Sequence, residues 1–179
     1  MILNLKKSGS ELCLPSHDGD AGYDLVANSS PNIVGKKDEF SGYWEEISYI
    51  EYDTNVFVQP LQEVNGEPEP LENIYYSLVY PRSSLSKYNL ILANHVGVID
   101  SGYQNSIKLR FKYIAQPKDF IIGFANQIFV KIDESKIYHK DDKIGQLIFA
   151  KHIHPSQINK VESFEKSSRG LDGFGSTGK

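Results

Sequence analysis

Polar and apolar residues alternate most cleanly along Ile107-Lys108-Leu109-Arg110-Phe111, where the apolar side chains share one face and the two cations the other. A two-residue period belongs to a strand with one buried face. Further β-prone runs, rich in Ile, Val, Tyr and Phe, cover Ile2–Leu5, Trp44–Tyr52, Asn55–Gln59, Ile74–Tyr80, Leu90–Asn94, Gly97–Ile99, Ser106–Tyr113, Gln127–Val130 and Ile144–Lys151. Helical periodicity is scarce. Only Arg82–Tyr88 predicts a short helix, with Pro81 ahead of it, Ser83 and Ser84 able to cap its start and Leu85 pointing inward. Asn28–Asp38 carries turn formers and reads as a loop; Gln62–Asn73 is acidic, holds Pro68 and Pro70, and reads as an insertion in a hairpin rather than a domain boundary. With no internal repeat, the pattern predicts an all-β sandwich or jelly-roll-like barrel.

A chain of 179 residues with 40% hydrophobic and 23% charged content fits one domain able to bury its own core. Lys and Arg number 19 against 23 Asp and Glu, a net charge of −4, and no block of positive charge marks a nucleic-acid-binding face. The lone Cys13 cannot form an internal disulfide, and the amino terminus lacks an export pattern, so a cytoplasmic or other reducing intracellular compartment is expected. No apolar run is long enough for a membrane-spanning helix, and no membrane partner is expected.

Four internal segments carry candidate chemistry. In Ala21-Gly22-Tyr23-Asp24-Leu25 a carboxylate interrupts an apolar run after a Gly/Asp turn, so Asp24 is either a turn residue or a site group. Pro81-Arg82-Ser83-Ser84-Leu85 offers a guanidinium, two hydroxyls and free amides at a helix start, which suits phosphate oxygens; simple capping explains the serines equally well. The run from Asn94 through Gly97, Val98 and Asp100 to Tyr103 has the shape of a hairpin with polar groups at its mouth, Asp100 being either a site group or an ordinary hairpin-end carboxylate. Gln146 lies among apolar neighbours in Lys143–Ile148 and is either a satisfied core amide or a site residue. A fifth segment closes the sequence: glycines alternate with Arg169, Phe174, Ser176 and Thr177, either a disordered Gly/Ser tail or a mobile arm that closes over a phosphate-bearing ligand.

In order and spacing these five segments resemble the motifs of the trimeric dUTPases: Ala21–Leu25, Pro81–Leu85, Gly97–Tyr103, Lys143–Ile148 and Arg169–Gly178. The resemblance implies a jelly-roll-like β-barrel over residues 1–168 with the insertion around 62–73, a closing arm over 169–179, and a homotrimer whose sites are shared between subunits. It implies hydrolysis of dUTP to dUMP and pyrophosphate with Mg²⁺. By the same resemblance, Asp100 is the general base that activates water, and Arg82, Ser83 and Ser84 form the phosphate-binding turn. Asn94 and Gln146 help hold the water, the uracil or the α-phosphate, while backbone near Asn94–Val98, including Gly97 and Val98, reads uracil. Tyr103 packs under the sugar and leaves no room for a 2′-hydroxyl. Arg169, Gly175, Ser176 and Thr177 supply donors from the arm, and Phe174 stacks on the base. Asp24 reaches the metal through water, consistent with the hydration that Mg²⁺ retains.

The family usually has glycine where Asn89 and Asn105 stand, and the acidic insertion is unusual for it. Two rival readings stand beside this one, the first sharing the barrel, the trimer and a Pro-Arg-Ser-Ser-Leu turn, the second the dUTPase-like fold. A dCTP deaminase, a related barrel, uses a Glu on the strand after the hairpin, where this chain has Arg110; arginine stays protonated and cannot take a proton from water. The other is a dUTPase-like binding or signalling module with a partner surface at the insertion.

Overall fold

Thirteen strands run through the described part of the chain: β1 (Ile2–Leu5), β2 (Tyr23–Val26), β3 (Asn32–Lys37), β4 (Trp44–Asp53), β5 (Val58–Val64), β6 (Glu67–Pro70), β7 (Tyr75–Tyr80), β8 (Leu90–Leu92), β9 (Gly97–Ile99), β10 (Lys108–Tyr113), β11 (Phe120–Ile122), β12 (Ile128–Val130) and β13 (Lys143–Lys151). The computed structural model describes residues 2–6, 9, 12–65, 67–70, 75–123, 126–153 and 155–167. The strands form three antiparallel sheets, ordered β1-β5-β6, β11-β12-β4-β10-β8 with β3 also on β4, and β2-β13-β7-β9. Together they make the all-β, jelly-roll-like fold that the pattern predicts. Among the described residues no helix is long and apolar enough to cross a membrane.

The alternation seen in the sequence sets the core. Ile107, Leu109 and Phe111 are buried while Lys108 and Arg110 lie outside. Leu25, Val79 and Leu147 of the β2-β13-β7-β9 sheet belong to the same buried cluster as Ile50, Tyr52 and Leu92 of the larger sheet. Each such large apolar side chain contributes about 1.5–3 kcal/mol when fully buried. Tyr138 seals the cluster: its ring meets Tyr52, Tyr88 and Phe111 at centroid distances of 6.2, 4.3 and 5.5 Å, and its carbonyl accepts the Tyr52 hydroxyl at 2.9 Å.

Local expectations fail where pairing overrides residue type. Asn28–Asp38, expected as a loop, contains β3, which lies along β4 with register shifts on either side of Gly35 and Lys36. The hydrogen bonds of a long partner strand outweigh the turn preferences of Asn32 and Gly35. The strand expected from Asn55 begins only at Val58, because Asn55 takes a left-handed φ of 52° and its amide donates to Asp53 Oδ1 at 2.7 Å. Within the insertion, Val64 pairs with Glu67 and Leu61 with Pro70 around a turn at Asn65, so most of it is a hairpin rather than a loop. Its prolines are tolerated because β6 pairs on one side only. The short helix is a 3₁₀ helix, Ser83–Lys87; Arg82 precedes it without a side-chain cap, and Leu85 packs on the core as expected.

Candidate active site

Because β13 runs between β2 and β7, motifs distant in sequence become neighbours: Gln146 stands opposite Asp24 on one side and Tyr80 on the other. Just beyond β7, Arg82 Nε lies 2.9 Å from Asp24 Oδ1, and Lys143 Nζ at the start of β13 lies 2.8 Å from Oδ2. The Asp24 side chain is 15% exposed, Arg82 29% and Lys143 45%. Two cations against one carboxylate leave this corner positive. Despite the approach of Arg82, buried Oδ1 accepts no aligned hydrogen bond, so an acceptor position remains open there. Gln146 is half-buried and lies on the bare backbone of Gly22, where a Cβ would meet the Gln146 Cβ at 3.2 Å and Cδ at 3.4 Å. Ser83 is exposed and Ser84 half-buried on the same turn as Arg82.

The run expected as a hairpin, Asn94–Tyr103, supplies one strand, β9, and a turn from Asp100 to Tyr103. β9 pairs with β7 while the preceding β8 pairs with β10, and no ladder joins β8 to β9 among the described residues. Between them Ala93 N donates to Arg110 O at 2.9 Å, and His95 takes a left-handed φ of 59°. The divergence opens a slot of about 420 Å³ whose lining includes Leu92, Asn94, Gly97, Val98, Tyr103 and Leu109. A Cβ at Gly97 would come within 3.3 Å of Asn94 Nδ2, so the absent side chain lets Asn94 lie across the slot. Two other cavities, of about 450 and 550 Å³, are lined by none of the residues singled out above; chemistry rather than size distinguishes the slot.

Asp100 is exposed at the end of β9, and its carbonyl accepts the Tyr103 amide at 3.0 Å. The Tyr103 ring lines the slot, its hydroxyl donating to Ser106 O at 3.0 Å. Neither Asn89 nor Asn105 has a positive φ, so asparagine stands there without left-handed strain; Asn105 Oδ1 accepts the Ser106 amide at 2.7 Å. Arg169, Phe174, Gly175, Ser176 and Thr177 lie outside the described residues. Lys143, inside a quoted motif yet not singled out, is the residue that sequence reasoning missed. Its signal was a cation at the head of the strand that carries Gln146. Among the described residues, no group of three or more His, Cys, Asp or Glu gathers as a metal cage. The open Oδ1 of Asp24 in a phosphate-suited corner fits a Mg²⁺ that keeps its waters and takes other ligands from phosphate.

A dUTPase family model matches residues 126–178. The deoxyuridine 5′-triphosphate nucleotidohydrolase of Escherichia phage T5 is 31% identical over 58% of this chain and 59% of that protein. Its counterpart from Saccharomyces cerevisiae is 35% identical over 58% of each. The matches to the first of these relatives span about three fifths of their length. The Clostridium acetobutylicum protein of the same name is 26% identical over 98% of this chain and 96% of its own. Among solved structures, a variant dUTPase of Staphylococcus bacteriophage 80alpha with dUpNHpp superposes with a TM-score of 0.65 at 23% identity, covering 99% of both chains. A variant dUTPase from phage phi11, described with a structural Mg(II) ion, gives 0.58 at 20% identity over 93% of this chain and 100% of its own. With the motifs gathered on one fold and these matches beside them, the chain is similar to the dUTPases in its carboxy-terminal sequence and shares the fold of solved phage dUTPases.

Proposed function

We propose that the chain hydrolyses dUTP to dUMP and pyrophosphate. The observation that carries this reading is the divergence of β8 and β9 into different sheets: β9 is an edge strand paired with β7 on one side only, and its Gly97 and Val98 line a slot together with Asn94 and Tyr103. Uracil presents the donor and acceptor edge that such backbone can pair with, and the Tyr103 ring lies where the sugar would rest. The triphosphate then extends toward Arg82, Ser83 and Ser84, with Lys143 beside them. Asp100 takes a proton from water as its oxygen bonds to the α-phosphorus; the bond to the bridging oxygen breaks and pyrophosphate leaves with the electron pair. Gln146 orients the water or the α-phosphate. Asp24 would hold a hydrated Mg²⁺, which would supply neutralisation of the phosphate charge. Arg169, Gly175, Ser176 and Thr177 add donors over the phosphates and Phe174 covers the base. The site is completed by neighbouring copies in a homotrimer.

Pyrophosphate release from dUTP, dCTP, dTTP and UTP tests the reading, with dUTP expected to dominate. Asp100→Asn should lose about a hundredfold or more in turnover while keeping dUMP binding, since an amide holds shape but accepts no proton. Comparable turnover of dCTP or UTP, or near-parental hydrolysis by Asp100→Asn, refutes it. For the trimer, mixing Asp100→Asn with a chain truncated before Arg169 should restore activity after subunit exchange; a monomeric mass by light scattering refutes shared sites.

A further inference from the structure

The loop that carries Tyr103 is fastened at its far end by groups that the proposed chemistry does not use. Ser106 is buried, 4% exposed, and all three of its polar groups are engaged. Its amide donates to Asn105 Oδ1, its hydroxyl donates to Asp53 Oδ1, and its carbonyl accepts the Tyr103 hydroxyl. Asp53, the last residue of β4, also accepts the Asn55 amide at 2.7 Å and lies 3.8 Å from Lys108 Nζ, while its own amide donates to Ser29 Oγ at 3.1 Å. A rigid ten-residue strand in the central sheet is thus tied through one carboxylate to the loop whose aromatic ring lines the slot.

We infer that Asp53 and Ser106 are positioning residues that hold the Tyr103 ring at the depth which excludes a ribose 2′-hydroxyl. This rests on the reading of the slot as a nucleoside site. The Tyr103 hydroxyl bonds within its own loop, only three residues away, so the ring can be no better fixed than Ser106. Ser106 in turn is fixed by the charged acceptor on β4, and hydrogen bonds to ionised groups are stronger than neutral ones. Sugar discrimination needs sub-ångström placement of a wall, which loop backbone alone does not give. The β4 anchor supplies it without touching the nucleotide.

The test uses the full-length protein and reads the preference for dUMP over UMP in equilibrium binding, with the ratio of kcat/KM for dUTP over UTP beside it. Asp53→Ala should lower both preferences at least about fivefold, roughly one hydrogen bond's worth of placement. Asp53→Asn, which keeps an acceptor oxygen for Ser106 and Asn55 but loses its charge, should lower both preferences less than Asp53→Ala does; a loss as large as that of Asp53→Ala overturns the inference. Tyr103→Phe, which keeps the ring and loses the tether, should behave like Asp53→Ala. A purely structural role predicts lower melting temperature with both sugars affected equally; an unchanged preference in Asp53→Ala or Tyr103→Phe overturns the inference while the dUTPase reading stands. Should Asp53→Ala fail to fold, Tyr103→Phe decides alone, its ring being 40% exposed. A parent protein that binds dUMP and UMP equally overturns the inference and removes the support for dUTP selectivity; one that binds neither overturns the slot reading itself.

Discussion

Replacing Asp24 by Asn keeps the shape of the side chain and removes its charge, leaving Arg82 and Lys143 facing each other across a neutral amide. Breaking a fully buried ion pair by removing one partner costs about 3–5 kcal/mol, whereas exposed pairs are worth about 0.2–1 kcal/mol. Asp24 sits between these limits, 15% exposed with partners at 29% and 45%. The expected cost of Asp24→Asn is therefore about 2 kcal/mol, and of Lys143→Met about 0.5 kcal/mol, because a half-exposed ammonium is easily rehydrated. In the double variant Lys143→Met should cost nothing further, since it then removes a repulsion; the pair couples by about 0.5–1 kcal/mol. Guanidinium unfolding with an unchanged m-value reads all three.

The same substitution makes a sharper functional claim. With one negative charge gone the corner becomes more positive, so Asp24→Asn should bind dUpNHpp in EDTA at least as tightly as the parent. Addition of Mg²⁺ should then improve binding far less than it does for the parent, because the negative charge that attracts the hydrated cation is lost and only one neutral acceptor oxygen remains. An Mg²⁺ enhancement equal to the parent's, or Asp24→Asn and Lys143→Met costs that simply add in the double variant, would falsify this account of the cluster.

Gly22→Ala places a methyl 3.2 Å from Gln146 Cβ and should shift that amide by tenths of an ångström. Turnover should fall about threefold to tenfold with little change in the unfolding midpoint, and a stability loss with full activity would contradict it. Burial pushes the Tyr138 phenol up to about 12 from its ordinary 10.0. The unfolded chain therefore releases that proton first as pH rises, so the stability contribution is complete below about pH 10 and is lost progressively above it. Urea midpoints measured above that pH should decline less steeply in Tyr138→Phe than in the parent; parallel declines would remove Tyr138 as a cause.

What the chain discloses locally and what it withholds divide along the range of the interaction. Ile107, Leu109 and Phe111 announce their burial because period two is a property of five neighbouring residues, and β1 and β9 fall at their expected bounds because each is a short run of β-prone residues. Tyr138, between Lys136 and a His-Lys-Asp-Asp run, shows no such pattern, yet it is 1% exposed because Tyr52, Tyr88 and Phe111 converge on it from other elements. The site follows the same division. Asp24, Arg82 and Gln146 are visible by residue type within short motifs, but the Lys143 ion pair appears only once β13 is laid beside β2. The decisive feature of the slot is a pairing choice: Leu90–Leu92 and Gly97–Ile99 are consecutive strands, and they pair with β10 and β7 instead of with each other. A hairpin free to close would bond its own backbone and leave no edge for a base. The slot therefore depends on strand pairings that no short motif announces, and weakening the β7–β9 or β8–β10 register should close the site before it unfolds the core.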